Sequence, residues 1–528
     1  MSFASGGIAP NPVLAQPAAW APATRPAAVP AAAGLDLTVL PAHSDRAMSR
    51  ADPAEEGGAL SREEILEKRR RHLGPNVALF FDDPLHIVAG RGCELFDPEG
   101  HSYLDCINNV SHVGHSHPKV AAAVSRQLYT LNTNCRYLHS ALVNYAEVLQ
   151  ATMPDPLEVV YMVCSGSEAN DLAWRMAVEN ARQQGVSAPL HVVVMDHAYH
   201  GHTSFCTDAS PYKHNGPGGS GTPTYVHVLP CPDVYRGKNL DGATAARKAI
   251  AAARAQGGRV AAFFCESIIS CGGQVILPAG YLESVYREMR AEGALCVADE
   301  VQCGFGRVGR AFWAFELQDV VPDIVTCGKP IGNGFPMSAV VTSRQVAARF
   351  SNGMEFFATY GGSTAAATAG LAVMEVIREE GLQENALLVG SYLRRRLREL
   401  QEQYPDIIGD VRGEGLMIGV EIVTDASSKA QAPVLAKHLK ERCRAAHRVL
   451  LSTEGPYGNI IKIKPPICFG VAEADRMLAA LEAVIEQEIE GVPGLKHELL
   501  AASRLEVAAA REMAAAREQQ AGHQLARL

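Results

Sequence analysis

The sequence predicts an α/β fold: a mixed, mostly parallel sheet in a large domain, with a smaller α+β domain beside it. Three observations carry this expectation. Between about Val120 and Met374, short β-branched apolar runs alternate with longer helical stretches. The runs "LHVVVMD", "VAAFFCES", "ALCVADE" and "DIVTCG" are apolar on both faces, as strands covered by helices on both sides must be. After "GLAVMEVIREEGL" the pattern changes to "IIGDVRGEGLMIGVEIV" and "NIIKIKPPICF", which predicts the smaller unit.

Residues 1–58 are rich in Ala and Pro and lack periodicity. A stretch such as "PAAWAPATRPAAVPAAAG" buries too little apolar surface to fold alone, so a disordered extension is expected. Its first acidic residue is Asp36 and the only earlier basic one is Arg25, fewer arginines than an organellar address carries. In "SREEILEKRRRHLG", Ser61 and Glu64 form a capping-box pattern before an amphipathic helix. "HIVAGRGCELFDPEGHSYLDC" reads as a hairpin closed by the turn "DPEG". Farther on, "EANDLAWRMAVENARQQG" and "GYLESVYREMRAEG" read as sheet-covering helices, and "LKHELLAASRLEVAAAREMAAAREQQ" as a helical tail. No internal repeat is present.

The 528 residues suffice for two or three domains, and 47% hydrophobic with 20% charged residues is an ordinary globular balance. A net charge of −9 argues against non-specific binding to nucleic acid or anionic membrane. No apolar run reaches the roughly 18 residues of a membrane helix. The 13 cysteines contain no C-x-x-C pair, which points to reduced thiols in a cytoplasmic setting. The 18 histidines show no zinc spacing, and His115 with His117 reads as a structural pair; no metal is expected.

Ligands of a doubly wound sheet gather at the carboxyl ends of its strands. Asp299 of "VADE" falls at one such end, where a lone acid is commonly a helix cap. Lys329 of "DIVTCGK" follows the next strand, 30 residues later. Gly166 and Ser167 of "VCSGSEAN" open a helix, where free N–H groups and the helix dipole favour an anion. Tyr199 and His200 of "MDHAYHG" offer flat rings after another strand. A phosphate seat, an aromatic platform, a carboxylate and a buried amine together suit pyridoxal phosphate. The amine forms the Schiff base, the carboxylate keeps the pyridine nitrogen protonated, and the ring stacks on the aromatic. Burial favours the neutral amine this needs.

In these motifs the sequence resembles the class III (ω-)aminotransferases, fold-type I pyridoxal-phosphate enzymes. The likeness spans roughly residues 75–488 and includes "YLDCINNVSHVGHSHP", "CSGSEAND", "DHAYHGH", "ADEVQCGFGRVG", "CGKPIGNGFP" and "FATYGGS". It implies a large cofactor-binding domain over 126–375 and a small domain from both chain ends, 59–125 and 376–490, followed by the tail 491–528. It also implies a homodimer with both sites at the interface. By motif position Lys329 is the Schiff-base lysine, Asp299 the pyridinium partner, and Gln302 a neighbour of the cofactor's phenolic oxygen. Tyr199 stacks on the ring, Gly166 and Ser167 bind the phosphate, and Thr359 adds a hydroxyl to it from the other subunit. Glu266 is the family's active-site glutamate.

Within the class, "LNTNCRYLH", "SPYK", "YRGK", "GKPIGNG" and "VLLSTEGPYGNIIKIKPPICF" are most similar to phospho-lyases acting on ethanolamine phosphate or phosphohydroxylysine. Two departures from the wider class stand out. Lys462 occupies the position where many members carry a carboxylate-binding arginine, and a lysine lacks the arginine's fork. "GGST" replaces the usual Gly-Gly-Asn-Pro. A substrate phosphate would need cations, for which Arg136, Lys213 and Lys462 are candidates, each also readable as a solvated or helix-capping charge. The leading expectation is elimination of phosphate and ammonia from a phosphorylated amine. The alternative is ω-amino transfer to pyruvate or 2-oxoglutarate. A third reading, a catalytically silent cofactor binder, is disfavoured by the intact Lys329, Asp299 and Gln302.

Overall fold

The structure is a computed structural model that describes residues 60–525, with side chains through residue 516. The extension expected over 1–58 lies outside the described residues. The chain divides into two compact units, one ending at His86 and the other starting at Ile87. In the first, helix Arg62–His72 opens on the expected capping box, with Ser61 and Glu64 bonded reciprocally. The expected amphipathic face is weak: Ile65 and Leu66 are half-buried and no residue of the helix is fully buried. Eight charged residues in eleven leave too narrow an apolar stripe.

The second unit begins with a meander, β1 (Ala89–Arg91), β2 (Glu94–Phe96) and β3 (Ser102–Asp105). The predicted "DPEG" hairpin is β2–β3, and β1 adds a third antiparallel strand. The main sheet contains β4 (Val159–Val163), β5 (Leu190–Met195), β6 (Val226–Leu229) and β7 (Arg259–Glu266). After a short ladder, β8 (Ile268–Ile269) with β9 (Val275–Ile276), it continues with β10 (Leu295–Asp299), β11 (Ile324–Cys327) and β12 (Ser338–Thr342). Its order is β4-β12-β11-β10-β7-β5-β6, with only β12 antiparallel to its neighbours.

Alternation along these strands builds two cores. Val193, Met195, Phe263, Cys265 and Cys296 pack with residues of helices Gly242–Ala255 and Tyr281–Ala291. Val192, Val194, Ala262, Phe264 and Val297 pack on the other face with Leu172, Ala173 and Met176 of helix Gly166–Gln183. The period of two thus sends neighbouring apolar residues to opposite faces, and both faces are covered.

The remaining strands are β13 (Ile408–Glu414), β14 (Met417–Ile422), β15 (Val449–Leu450), β16 (Ser452–Glu454) and β17 (Ile460–Ile463). β13, β14, β17 and β16 form an antiparallel sheet, while β15 joins β3 in parallel and so ties the two ends of this unit together. The tail helix Leu495–Leu525 docks through Ser503, whose hydroxyl accepts the Val434 and Leu435 N–H groups at the start of helix Pro433–His447. All 13 cysteines are free thiols. No helix among the described residues is long and apolar enough to cross a membrane.

Helix Leu382–Gln403 crosses the β13–β14 turn at Gly390. A methyl group there would come within 2.1 Å of the Gly415 carbonyl oxygen. Alanine normally gains about 1 kcal/mol over glycine inside a helix. Overpacking against backbone costs about 1–3 kcal/mol and outweighs it. Gly390→Ala should therefore lower the melting temperature; an unchanged or raised value would show that this crossing is looser than described.

Candidate active site

Four segments leave the same edge of the main sheet and surround one cavity of roughly 290 Å³. It is lined by the start of helix Gly166–Gln183, the 199–201 loop after β5, Asp299 and Gln302 after β10, and Lys329 after β11. Lys329 is thus no surface charge. It sits in the left-handed region at φ +31°, a strained backbone for a lysine. Enclosure lowers its ammonium pKa, with the Asp299 carboxylate pulling the other way. Its Nζ stands 5.9 Å from the centroid of the Tyr199 ring.

Asp299 is 3% exposed and held by three donors. Asn170 Nδ2 and His200 Nδ1 each lie 2.8 Å from its Oδ2, and the Val301 N–H donates to Oδ1 at 3.1 Å. Asn170 also donates to the His200 carbonyl and accepts from Thr326 Oγ1, both at 2.8 Å. Both Tyr199 and His200 line the cavity, and the His200 ring, expected as a flat face, positions the carboxylate through Nδ1. The Asn170 contacts went unread in the sequence. The available signal was helical spacing, since Asn170 lies four residues after Gly166 and so on the same face.

The helix start is shaped for an anion. Ser165 caps it, and Ser167 Oγ accepts the His202 N–H at 3.0 Å. Gly201, at φ +129°, lets its backbone approach so closely that a methyl group would meet Ser167 Oγ at 2.4 Å. A methyl group on Gly328 would meet Ser338 Oγ at 2.5 Å. That hydroxyl is buried at the cavity wall without a protein partner among the described residues.

Glu266 is buried beside this cavity; its Oε1 accepts the Tyr199 N–H at 3.1 Å. Burial, reinforced by the Asp299 charge, pushes its carboxyl up to about 7. Gln302 reaches it with Nε2 at 3.5 Å. The next residue after Asp299, Glu300, points the opposite way and accepts the Ala314 and Phe315 N–H groups at 2.8 and 2.9 Å, pinning the loop beyond β10.

Other anticipated residues lie outside the cavity lining. Arg136 is half-exposed, 2.9 Å from Glu355 and stacked 3.9 Å over Phe357. Thr359 is exposed on the same stretch of chain. Lys462 is paired with Glu454 at 2.5 Å. Lys213 sits 5.5 Å from the Tyr199 ring. His115 and His117 are each bonded to a carboxylate, Asp105 at 2.7 Å and Glu380 at 3.0 Å, as structural histidines. Sequence reasoning also passed over Lys464, which shares a strand face with Lys462 and is 1% exposed.

Comparison with known proteins agrees with this arrangement. Residues 81–485 match the family model described as aminotransferase class-III. A Drosophila melanogaster protein named "Alanine--glyoxylate aminotransferase 2-like" is 47% identical over 81% of this chain and 89% of its own. The Caenorhabditis elegans "Ethanolamine-phosphate phospho-lyase homolog 1" is 40% identical over 80% and 94%. Among solved structures, an Arthrobacter phospholyase in complex with phosphoethanolamine superposes with a TM-score of 0.74 at 38% identity, over 79% of this chain and 98% of that one. The chain belongs to the class-III aminotransferase family.

Proposed function

We propose that this chain binds pyridoxal 5′-phosphate and eliminates phosphate and ammonia from a phosphorylated amine such as phosphoethanolamine. The observation that carries the cofactor reading is the cavity itself: an enclosed amine faces an aromatic ring between a clamped carboxylate and a glycine-framed helix start. The donor set fits the group. The backbone around Gly166 and Ser167, with the unpartnered Ser338 hydroxyl nearby, suits a phosphate. Tyr199 offers a face to the ring, Asp299 a carboxylate to its nitrogen, and Gln302 an amide to its phenolic oxygen. The cofactor, when bound, supplies an aldehyde that takes an amine nitrogen and a cationic ring that withdraws electrons from the adjacent carbon.

The chain's residues do the rest. Burial keeps a neutral fraction of Lys329, which can take a proton from the carbon bearing the substrate nitrogen. Asn170, His200 and the Val301 N–H hold Asp299 in place, so that its carboxylate would face a protonated ring nitrogen without reorienting. The net reaction consumes one water: phosphoethanolamine and water give acetaldehyde, ammonia and inorganic phosphate.

The preference for elimination is supported by the likeness to the Arthrobacter phospholyase over nearly its whole length and by Lys462 at the usual arginine position. A compact ammonium suits a phosphate as a point charge, while a carboxylate gains more from an arginine fork. In the free chain Lys462 is neutralised by Glu454, so a substrate phosphate must compete for it. The second reading, amino transfer to pyruvate or 2-oxoglutarate, is favoured by the Drosophila relative. We also infer a homodimer. Arg136 and Thr359 share a surface with the exposed Tyr137, Leu138, Met354 and Tyr360, which a second copy would cover. There both polar groups can serve the neighbour's cavity.

Purified enzyme given phosphoethanolamine should release phosphate and ammonia in equal amounts with no keto acid added. Turnover that depends on pyruvate or 2-oxoglutarate, without phosphate release from any phosphoamine, would replace the lyase reading with the aminotransferase one. Asp299→Asn should retain cofactor but lose orders of magnitude in kcat. A loss under tenfold, about 1.4 kcal/mol, would remove Asp299 from the electron-withdrawing role.

A further inference from the structure

Lys464 stands just past the end of β17, buried and, among the described residues, without a carboxylate in direct contact. Its Nζ donates to Ser270 Oγ at 2.6 Å and to Gln302 Oε1 at 2.7 Å. Burial and the charges of Lys462 and Lys329 hold it down to about 7, while Glu454 pulls the other way. Glu454 is itself paired with Lys462. Glu266, the other nearby acid, lies across the Gln302 amide. A buried amine so placed costs stability whenever it is charged.

The hydrogen bonds show what it does. The Gln302 atom facing Lys464 is the amide oxygen, which accepts the hydrogen bond from Nζ. Asn109 Nδ2 donates to the same oxygen at 3.3 Å. The amide NH2 therefore turns the other way. One of its N–H groups points to Glu266 Oε2 at 3.5 Å, and the second is left for the cavity that Gln302 lines. With the Lys464 and Asn109 donors on its oxygen and a carboxyl group on its nitrogen, the amide is polarised in the sense that strengthens this free donor.

We propose that Lys464 is a positioning residue that locks the Gln302 amide with its oxygen toward the protein and its NH2 toward the cavity, so that the cofactor's phenolic oxygen meets a donor. The inference rests on the pyridoxal-phosphate reading given above. Lys462, two residues earlier, is paired with Glu454 instead.

The test is a double-variant cycle on the full chain, using Lys464→Met, Gln302→Ala and the pair. Two quantities are read: the Kd for pyridoxal phosphate by titration, and the pH midpoint of the bound cofactor's visible absorbance. Lys464→Met should raise the Kd about tenfold, which is about 1.4 kcal/mol. It should also shift the midpoint, and Lys464→Arg should restore part of both. In the Gln302→Ala background, Lys464→Met should add little. Should Lys464→Met not fold, Asn109→Ala removes the other donor and should give a smaller change in the same direction, again absent without Gln302. Independent, additive effects, or an unchanged Kd and midpoint in the single variant, would overturn the proposal. A wild-type chain that binds no pyridoxal phosphate would instead overturn the functional reading beneath it.

Discussion

The clamp on Asp299 is the constraint around which this site is organised. A carboxylate this buried is tolerable only if donors replace the water it has lost. They come from three separate elements: Asn170 from the helix after β4, His200 from the loop after β5, and the Val301 N–H from the chain after β10. Each hydrogen bond to a charged group contributes about 1.5–3 kcal/mol. Thr326 on the neighbouring strand β11 fixes Asn170 in turn. The clamp therefore exists only when the parallel strands are in register, and the fold and the site form together. Helix Gly166–Gln183 serves both ends of this design, presenting its first N–H groups to an anion and its second turn to Asp299.

Charge balance sets the rest. Burial, reinforced by the charge of Lys462, lowers the affinity of Lys329 and Lys464 for protons. Glu454 answers Lys462 directly, while Asp299 and Glu266 act on Lys329. The balance is local rather than pairwise, so an arriving anion alters several groups at once. The aromatic and glycine positions are passive by comparison: Tyr199 supplies a face, and Gly201 and Gly328 supply room.

Much of this was legible in the sequence because it is local. The strands from "LHVVVMD" to "DIVTCG" are read from apolar runs, and their carboxyl ends follow from the rule that parallel sheets bind ligands there. Asp299, Lys329, Tyr199 and Gly166 each fall at, or a few residues past, the end of such a run. What could not be read is pairing between distant positions. Asn170 looks like an ordinary helix residue until Asp299, 129 residues away, is brought beside it. His200 looked like a second platform because nothing in "MDHAYHG" says which ring turns inward. Lys462 stands at a position where the resemblance implies an arginine, whereas no local pattern in "IIKIKPP" marks Lys464. Only the Gln302 amide, 162 residues from Lys464, shows that the second lysine has a task. The helix Arg62–His72 shows the opposite limit: its cap was legible, but its apolar stripe was too thin to be buried.

The central claim is that Lys329 is the amine that engages the cofactor. Borohydride reduction of the purified protein with pyridoxal phosphate, followed by peptide mapping, tests it most directly. The account predicts a single phosphopyridoxyl adduct, on Lys329, with loss of the visible band. An adduct on Lys462 or Lys464, or none on any lysine, would contradict it.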